Sequence, residues 1–121
     1  MRYAILFLFA LFLSTCYYDS EEYLFPQQSC DTTGVSYSGT IKPLLESYCY
    51  RCHDNSNAPQ SGANIRLEDY SDVKIRVDDG SLTGSINHES SFSPMPKGGG
   101  KLDNCSLRLF GIWTEDGAPN N

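Results

Sequence analysis

Apolar residues in this chain come first as one dense run and then in short bursts. Residues 4–13 (AILFLFALFL) are unbroken apolar sequence, and residues 17–29 are acidic and tyrosine-bearing with no sustained period. Residues 30–34 (CDTTG) carry turn chemistry, and residues 35–40 (VSYSGT) read as a loop. Ile41, Leu44, Leu45 and Tyr48 then recur at helical spacing, so a helix starts near Thr40 or Ile41 with an apolar face. Pro43 fits its first turn, where a missing N–H is no loss. Residues 54–63 read as loop and residues 65–67 as a turn or a strand-like piece. Residues 70–77 form a short helix, with Ser71 as N-cap, Val73 and Val77 inward, and Gly80 as the stop. Residues 81–87 add a further turn with Leu82 and Ile86 inward. The last helix opens on Asp103, a good N-cap, and presents Leu107, Leu109, Phe110, Ile112 and Trp113 on a broad apolar face. Gly117 ends it and Pro119 follows. Gly111 in its middle should cost about 1 kcal/mol relative to Ala, and close approach of another helix would explain it. There is no internal repeat.

Composition narrows what such a chain can be. It has 121 residues, enough for one small domain. Beyond residue 13 it is poor in Leu, Ile and Val and rich in Ser, Asn, Asp and Gly. A core so thin is marginal and calls for a bound group or a cross-link. The formal net charge of −6 argues against a nucleic-acid-binding face.

Arg2 followed by the apolar run is the layout of an export signal, far short of the roughly 20 residues a spanning helix needs. Leu13-Ser14-Thr15-Cys16 resembles the lipobox of bacterial lipoproteins, in which the cysteine is lipidated and becomes the mature N-terminus. The division expected is a lipoprotein-type signal peptide at 1–15, a flexible tether at 16–29 and a domain at 30–121. The alternative is a plain secreted chain with Cys16 unused.

The expected first helix runs into Cys49-Tyr50-Arg51-Cys52-His53. On a helix, Cys49, Cys52 and His53 stand at i, i+3 and i+4, on one face. C-x-x-C-H is the attachment signature of c-type haem. Two thiols can add across the vinyl groups at a haem edge, and the adjacent imidazole can reach the iron as proximal ligand. Two rivals compete for the motif. A thioredoxin-like pair would favour a βαβ setting and has no use for His53. A zinc site would draw on Cys49, Cys52, His53 and His88.

A second axial ligand is available in Phe92-Ser93-Pro94-Met95-Pro96. Pro94 fixes its own φ, and Pro96 drives Met95 out of the helical region, so a stiff loop presents one thioether. His/Met ligation raises a haem's reduction potential. Without the upstream motif, Met95 would read as a core gap-filler. His88 is the rival sixth ligand, in a polar stretch that reads as surface. Of the five cysteines, Cys30 and Cys105 remain. Two free thiols are a liability in an exported protein, so they are expected to pair, which over so long a loop adds on the order of 4 kcal/mol. The alternative is two buried, reduced thiols.

Cys49, Cys52 and His53 after an amphipathic helix, Met95 in its S-P-M-P loop, and a closing helix ending W-T-E-D-G-A-P-N-N resemble the small single-haem cytochromes c of exported bacterial lipoproteins. The resemblance covers residues 30–121. It implies an all-α, cytochrome c-like fold of three to five short helices around one covalently bound haem c, with first and last helices crossing. The haem would lie between the CxxCH helix and the Met loop. It implies electron transfer and no enzymatic activity, with redox partner proteins in the cell envelope and a lipid anchor in a membrane facing the periplasm or the cell surface. The alternatives are a haem enzyme or sensor with a labile sixth ligand, and a zinc-binding module without haem.

Overall fold

Ser36 is extended (φ −135°, ψ 158°) and its hydroxyl accepts the N–H of Gly39, which starts a π-helical turn over Tyr37–Ile41. Helix α1, Lys42–Tyr48, continues from it without a break, with Pro43 in its first turn. Cys49 interrupts the helical dihedrals at φ −119°, although its N–H still donates to the Leu45 carbonyl at 2.8 Å. The chain re-enters helix as α2, Tyr50–His53, and after a turn as α3, Ala58–Ser61. Helices α4 (Tyr70–Asp78) and α5 (Ser81–Ile86) are joined through Gly80, whose φ of 75° is the left-handed conformation that glycine adopts without strain. Helix α6, Asn104–Glu115, closes the fold, and the Asp103 carboxylate accepts the Ser106 N–H at 2.9 Å as its N-cap. This computed structural model describes residues 30–121. The expected signal peptide (1–15) and tether (16–29), with Cys16, lie outside them.

Among the described residues there is no strand, so the architecture is all-α. The six helices and the π-helical turn among the described residues exceed the three to five helices expected. The surplus is α2 and α3, each a single turn. Residues 35–40 are not a plain loop, because the π-helical turn occupies most of them. The N-cap of α4 is Asp69, extended at φ −88° and ψ 137°, rather than Ser71, which lies inside the helix. Residues 65–67 are irregular, and what they do instead is part of the site described below.

The core is small and depends on aromatic rings. Ile41, Leu45 and Val73 are fully buried, and Phe110 and Trp113 nearly so, joined by Tyr37, Leu67, Leu82, Ile86, Leu102 and Ala118. Tyr37 stacks on Trp113 (5.6 Å between centroids) and meets Tyr70 edge-on at 5.0 Å. Through these rings the opening π-helical turn packs on α6, and α6 also packs on α5. The segment after α6 secures the arrangement with hydrogen bonds. Tyr70 donates to the Ala118 carbonyl and the Trp113 indole N–H to the Pro119 carbonyl, both at 2.9 Å. The side-chain and backbone carbonyls of Asn121 accept the N–H groups of Tyr37 and Ser38 at 2.8 and 2.9 Å. These are opening donors of the π-helical turn, which no carbonyl within that turn can reach. Tyr48 departs from the expected apolar face: it is 41% exposed, and its hydroxyl donates to Asp103 at 3.3 Å, linking the end of α1 to the cap of α6. The Ser106 hydroxyl is the first cause holding the Asp103 carboxyl below the usual carboxylate range.

Gly111 needs a different account from the one its sequence suggests. A Cβ built there meets nothing within 4 Å, so no helix approaches it closely. The glycine is therefore an uncompensated weak point of α6. Gly111→Ala should stabilise the domain by roughly 0.5–1 kcal/mol, read as a higher urea midpoint at unchanged slope; a lower midpoint would show the position to be crowded.

Candidate cofactor site

The backbone at the motif is helical across the interruption at Cys49. Cys52 and His53 donate their N–H groups to the Cys49 carbonyl at 3.1 and 2.9 Å, the i+3 and i+4 relations that place the three side chains on one face. All three are half-buried. Cys49 and Cys52 are free thiols, whereas Cys30 and Cys105 are both disulfide-bonded. The cysteines thus divide as the bridge expectation requires. Cys49 packs against the core, and burial pushes its thiol up to about 11.

The ring of His53 is oriented by a segment that comes back to it. His53 Nδ1 lies 2.9 Å from the Ile65 carbonyl oxygen, which can only accept, so Nδ1 carries the proton. In the neutral ring this leaves the lone pair on Nε2, the arrangement seen when an imidazole serves a metal. The His53 carbonyl in turn accepts the Leu67 N–H at 2.8 Å. Residues 65–67 are therefore not a strand; they are an irregular segment that grips His53 by both its ring and its backbone.

Three neighbouring residues make that return possible. Ala63 and Asn64 both have positive φ, 52° and 61°, and reverse the chain. Gly62 is buried beneath the motif, where a Cβ would stand 2.4 Å from the Cys52 carbonyl oxygen and 2.9 Å from His53 Nδ1. No larger residue fits without moving backbone. The far side is latched at Asn55, whose N–H donates to Glu68 at 2.8 Å and whose side-chain amide donates to Asp69 at 3.0 Å. Asp54 gathers the turn after α2. It accepts from Ser56 and Asn57, and the Asn57 N–H is the first cause that lowers its carboxyl.

Met95 stands on a separate loop, half-buried, and is not among the half-buried apolar side chains packed against the core. Its backbone is non-helical, as the flanking prolines predict, and the Met95–Pro96 peptide is cis. The Met95 N–H donates to the Ser85 carbonyl at 3.0 Å. His88 is exposed, as expected, yet its Nε2 lies 2.9 Å from the Met95 carbonyl oxygen. A tetrahedral set built from Cys49, Cys52, His53 and His88 is not assembled: among the described residues no three His, Cys, Asp or Glu side chains converge on a metal position. A surface cleft of about 190 Å³ is lined by Asn64, Arg66, Asp72, Ile75 and Arg76, and none of the candidate donors lines it.

Sequence reasoning singled out the candidate donors and missed the residues around them. Gly62 and Asn64 carried a weak signal, since Gly and Asn favour tight turns. Ile65 carried none, because it acts through a backbone carbonyl that every residue type possesses. Two free thiols one turn apart, next to an imidazole whose Nδ1 is already engaged, fit a haem held through two thioethers and one iron–nitrogen bond. Among the described residues no helix is long and apolar enough to cross a membrane. Comparison with family models, curated proteins and solved structures gives no match for this chain.

Two outcomes test the site. Gly62→Ala should destabilise the domain by about 1–3 kcal/mol and strip protection from the Leu67 amide in hydrogen exchange; unchanged protection would detach Gly62 from the grip on His53. In the haem-free protein, alkylation of Cys49 should keep rising roughly tenfold per pH unit between about pH 8 and 10, because its thiolate forms only as pH nears its raised pKa. A plateau before about pH 9 in peptide mass spectrometry would contradict the raised value.

Proposed function

We propose that residues 30–121 form a cytochrome c-like electron carrier, with haem c attached through Cys49 and Cys52 and its iron held by His53 and Met95. The observation that carries this reading is the bond from His53 Nδ1–H to the Ile65 carbonyl, which in the neutral ring leaves the lone pair on Nε2. A thiol–disulfide role for the CxxC pair would have no need of an imidazole so oriented. The bound haem supplies a one-electron couple between ferric and ferrous iron. The chain's own residues do the rest. Cys49 and Cys52 fix the group at two points on one helical turn. His53 donates electron density, and its hydrogen bond to Ile65 raises that donor strength. Met95 offers a soft sulfur that favours the ferrous state and leaves no position for a substrate, so the reading is a carrier and not an enzyme.

The finer fold assignment belongs to the same proposal. The opening π-helical turn and the closing helix meet through Tyr37 and Trp113, and this contact between the two ends of the domain supports the reading. Export by residues 1–15, lipidation at Cys16 and a tether over 16–29 would hold the carrier at a membrane in the cell envelope. The full chain's net charge of −6 suits a redox partner with a basic docking patch.

Expression with export and a haem-attachment apparatus should give a protein with covalent, low-spin haem. Met95→Ala should open the iron to added ligands and lower the potential by a sizeable part of the ~0.8 V range that axial ligation spans. Colourless protein would end the proposal, and a spectrum indifferent to the Met95 change would remove Met95 from the iron.

A further inference from the structure

His88 occupies a conformation that its residue type does not favour. It follows Asn87, the C-cap of α5, at a φ of 56°, where Gly or Asn is the usual choice. The left-handed turn folds the next residues back over α5. The Glu89 N–H donates to the Gly84 carbonyl at 3.0 Å, and the Phe92 ring lies so close over Gly84 that a Cβ there would stand 2.1 Å from the ring. The loop then returns to α5 at Met95. There the Ser85 carbonyl accepts the Met95 N–H at 3.0 Å, and His88 Nε2 donates to the Met95 carbonyl at 2.9 Å. Both backbone polar groups of Met95 are thereby tied to one end of one helix.

We infer that His88 is a positioning residue for Met95: its imidazole anchors the Met95 carbonyl and so fixes where the thioether is presented. The inference rests on Met95 being the sixth iron ligand. The Met95 carbonyl can only accept, so Nε2 carries the proton in the neutral ring as in the charged one. With its N–H and C=O held, Met95 keeps only its side-chain torsions, and less ordering is required when sulfur meets iron. A cationic or polar surface role would explain an imidazole at position 88 but not its bond to that carbonyl across the loop.

The test uses the haem-loaded protein with three variants. His88→Gly keeps the left-handed backbone without strain and removes the imidazole. His88→Gln restores a side-chain N–H donor. Met95→Ala reports on the ligand itself. The readouts are cyanide affinity of the ferric protein, the sulfur-to-iron charge-transfer band and the thermal midpoint. Cyanide binds only when sulfur is off the iron, so its apparent affinity reports the sulfur-off population. His88→Gly should bind cyanide several-fold to about tenfold more tightly, the effect of losing one hydrogen bond, with a weakened band and little change in the thermal midpoint. His88→Gln should recover most of the difference. If Met95→Ala opens the iron while His88→Gly leaves cyanide affinity unchanged, His88 does not position Met95 although the ligand reading stands. If His88→Gly abolishes the low-spin spectrum and Met95→Ala leaves it intact, His88 is itself the ligand, and both readings fall.

Discussion

One hydrogen bond, from the His53 ring to the Ile65 carbonyl, dictates the shape of the chain on either side of it. To bring that carbonyl back, the chain must reverse within a few residues, and Ala63 and Asn64 accept left-handed dihedrals to do so. An alanine in that conformation costs roughly 1–2 kcal/mol, so the turn persists only because other contacts over-determine it. Gly62 supplies the clearance, Leu67 closes a second bond to His53, and Asn55 ties the far end to Glu68 and Asp69. Several weak, local interactions are thus directed at one imidazole. Such a supporting layer is what a metal-bound histidine needs if its ring is to keep its orientation.

The remainder of the fold supplies what the sparse aliphatic core cannot. Aromatic rings cover more area per residue than Leu or Val, and their stacked and edge-on pairs add roughly 0.5–1.5 kcal/mol beyond burial. Tyr37 has both arrangements, one with Trp113 and one with Tyr70. Its hydroxyl is buried with no hydrogen-bond partner among the described residues, and burial is the main cause raising its pKa. The ring's packing outweighs that cost. The tail beyond α6 closes the structure by supplying carbonyls to Tyr37, Ser38, Tyr70 and Trp113.

Short-range signals were legible from residue types, and long-range partners were not. Asp103 as a cap, Gly80 as a stop, Val73, Leu82 and Ile86 as inward positions, and the helical face of Cys49, Cys52 and His53 all follow from local spacing. The π-helical turn did not, because two of its opening N–H groups are satisfied by Asn121, at the other end of the chain. Residues 58–61 looked like loop by composition; tertiary burial of Ala58 overrides that weak propensity. Residues 65–67 showed strand-like alternation but bond to His53 in place of a neighbouring strand. Gly111 invited a packing explanation that the open space around it removes. Of the candidate site, the proposed donors were visible as side chains, while the acceptor that orients His53 is backbone and has no sequence signature.

The burial of Cys49 has a kinetic consequence. The same molecule holds cysteines in two oxidation states, a bonded set at Cys30 and Cys105 and free thiols at Cys49 and Cys52. Exchange between them proceeds through attack by thiolate. Raising the Cys49 pKa from 9.0 to about 11 makes its thiolate about a hundredfold rarer near neutral pH. The greater nucleophilicity of a more basic sulfur returns about half of that on a logarithmic scale, so attack by Cys49 slows about tenfold. Burial against the core thus sorts the cysteines by rate, making Cys49 a slow partner in exchange with the bonded pair.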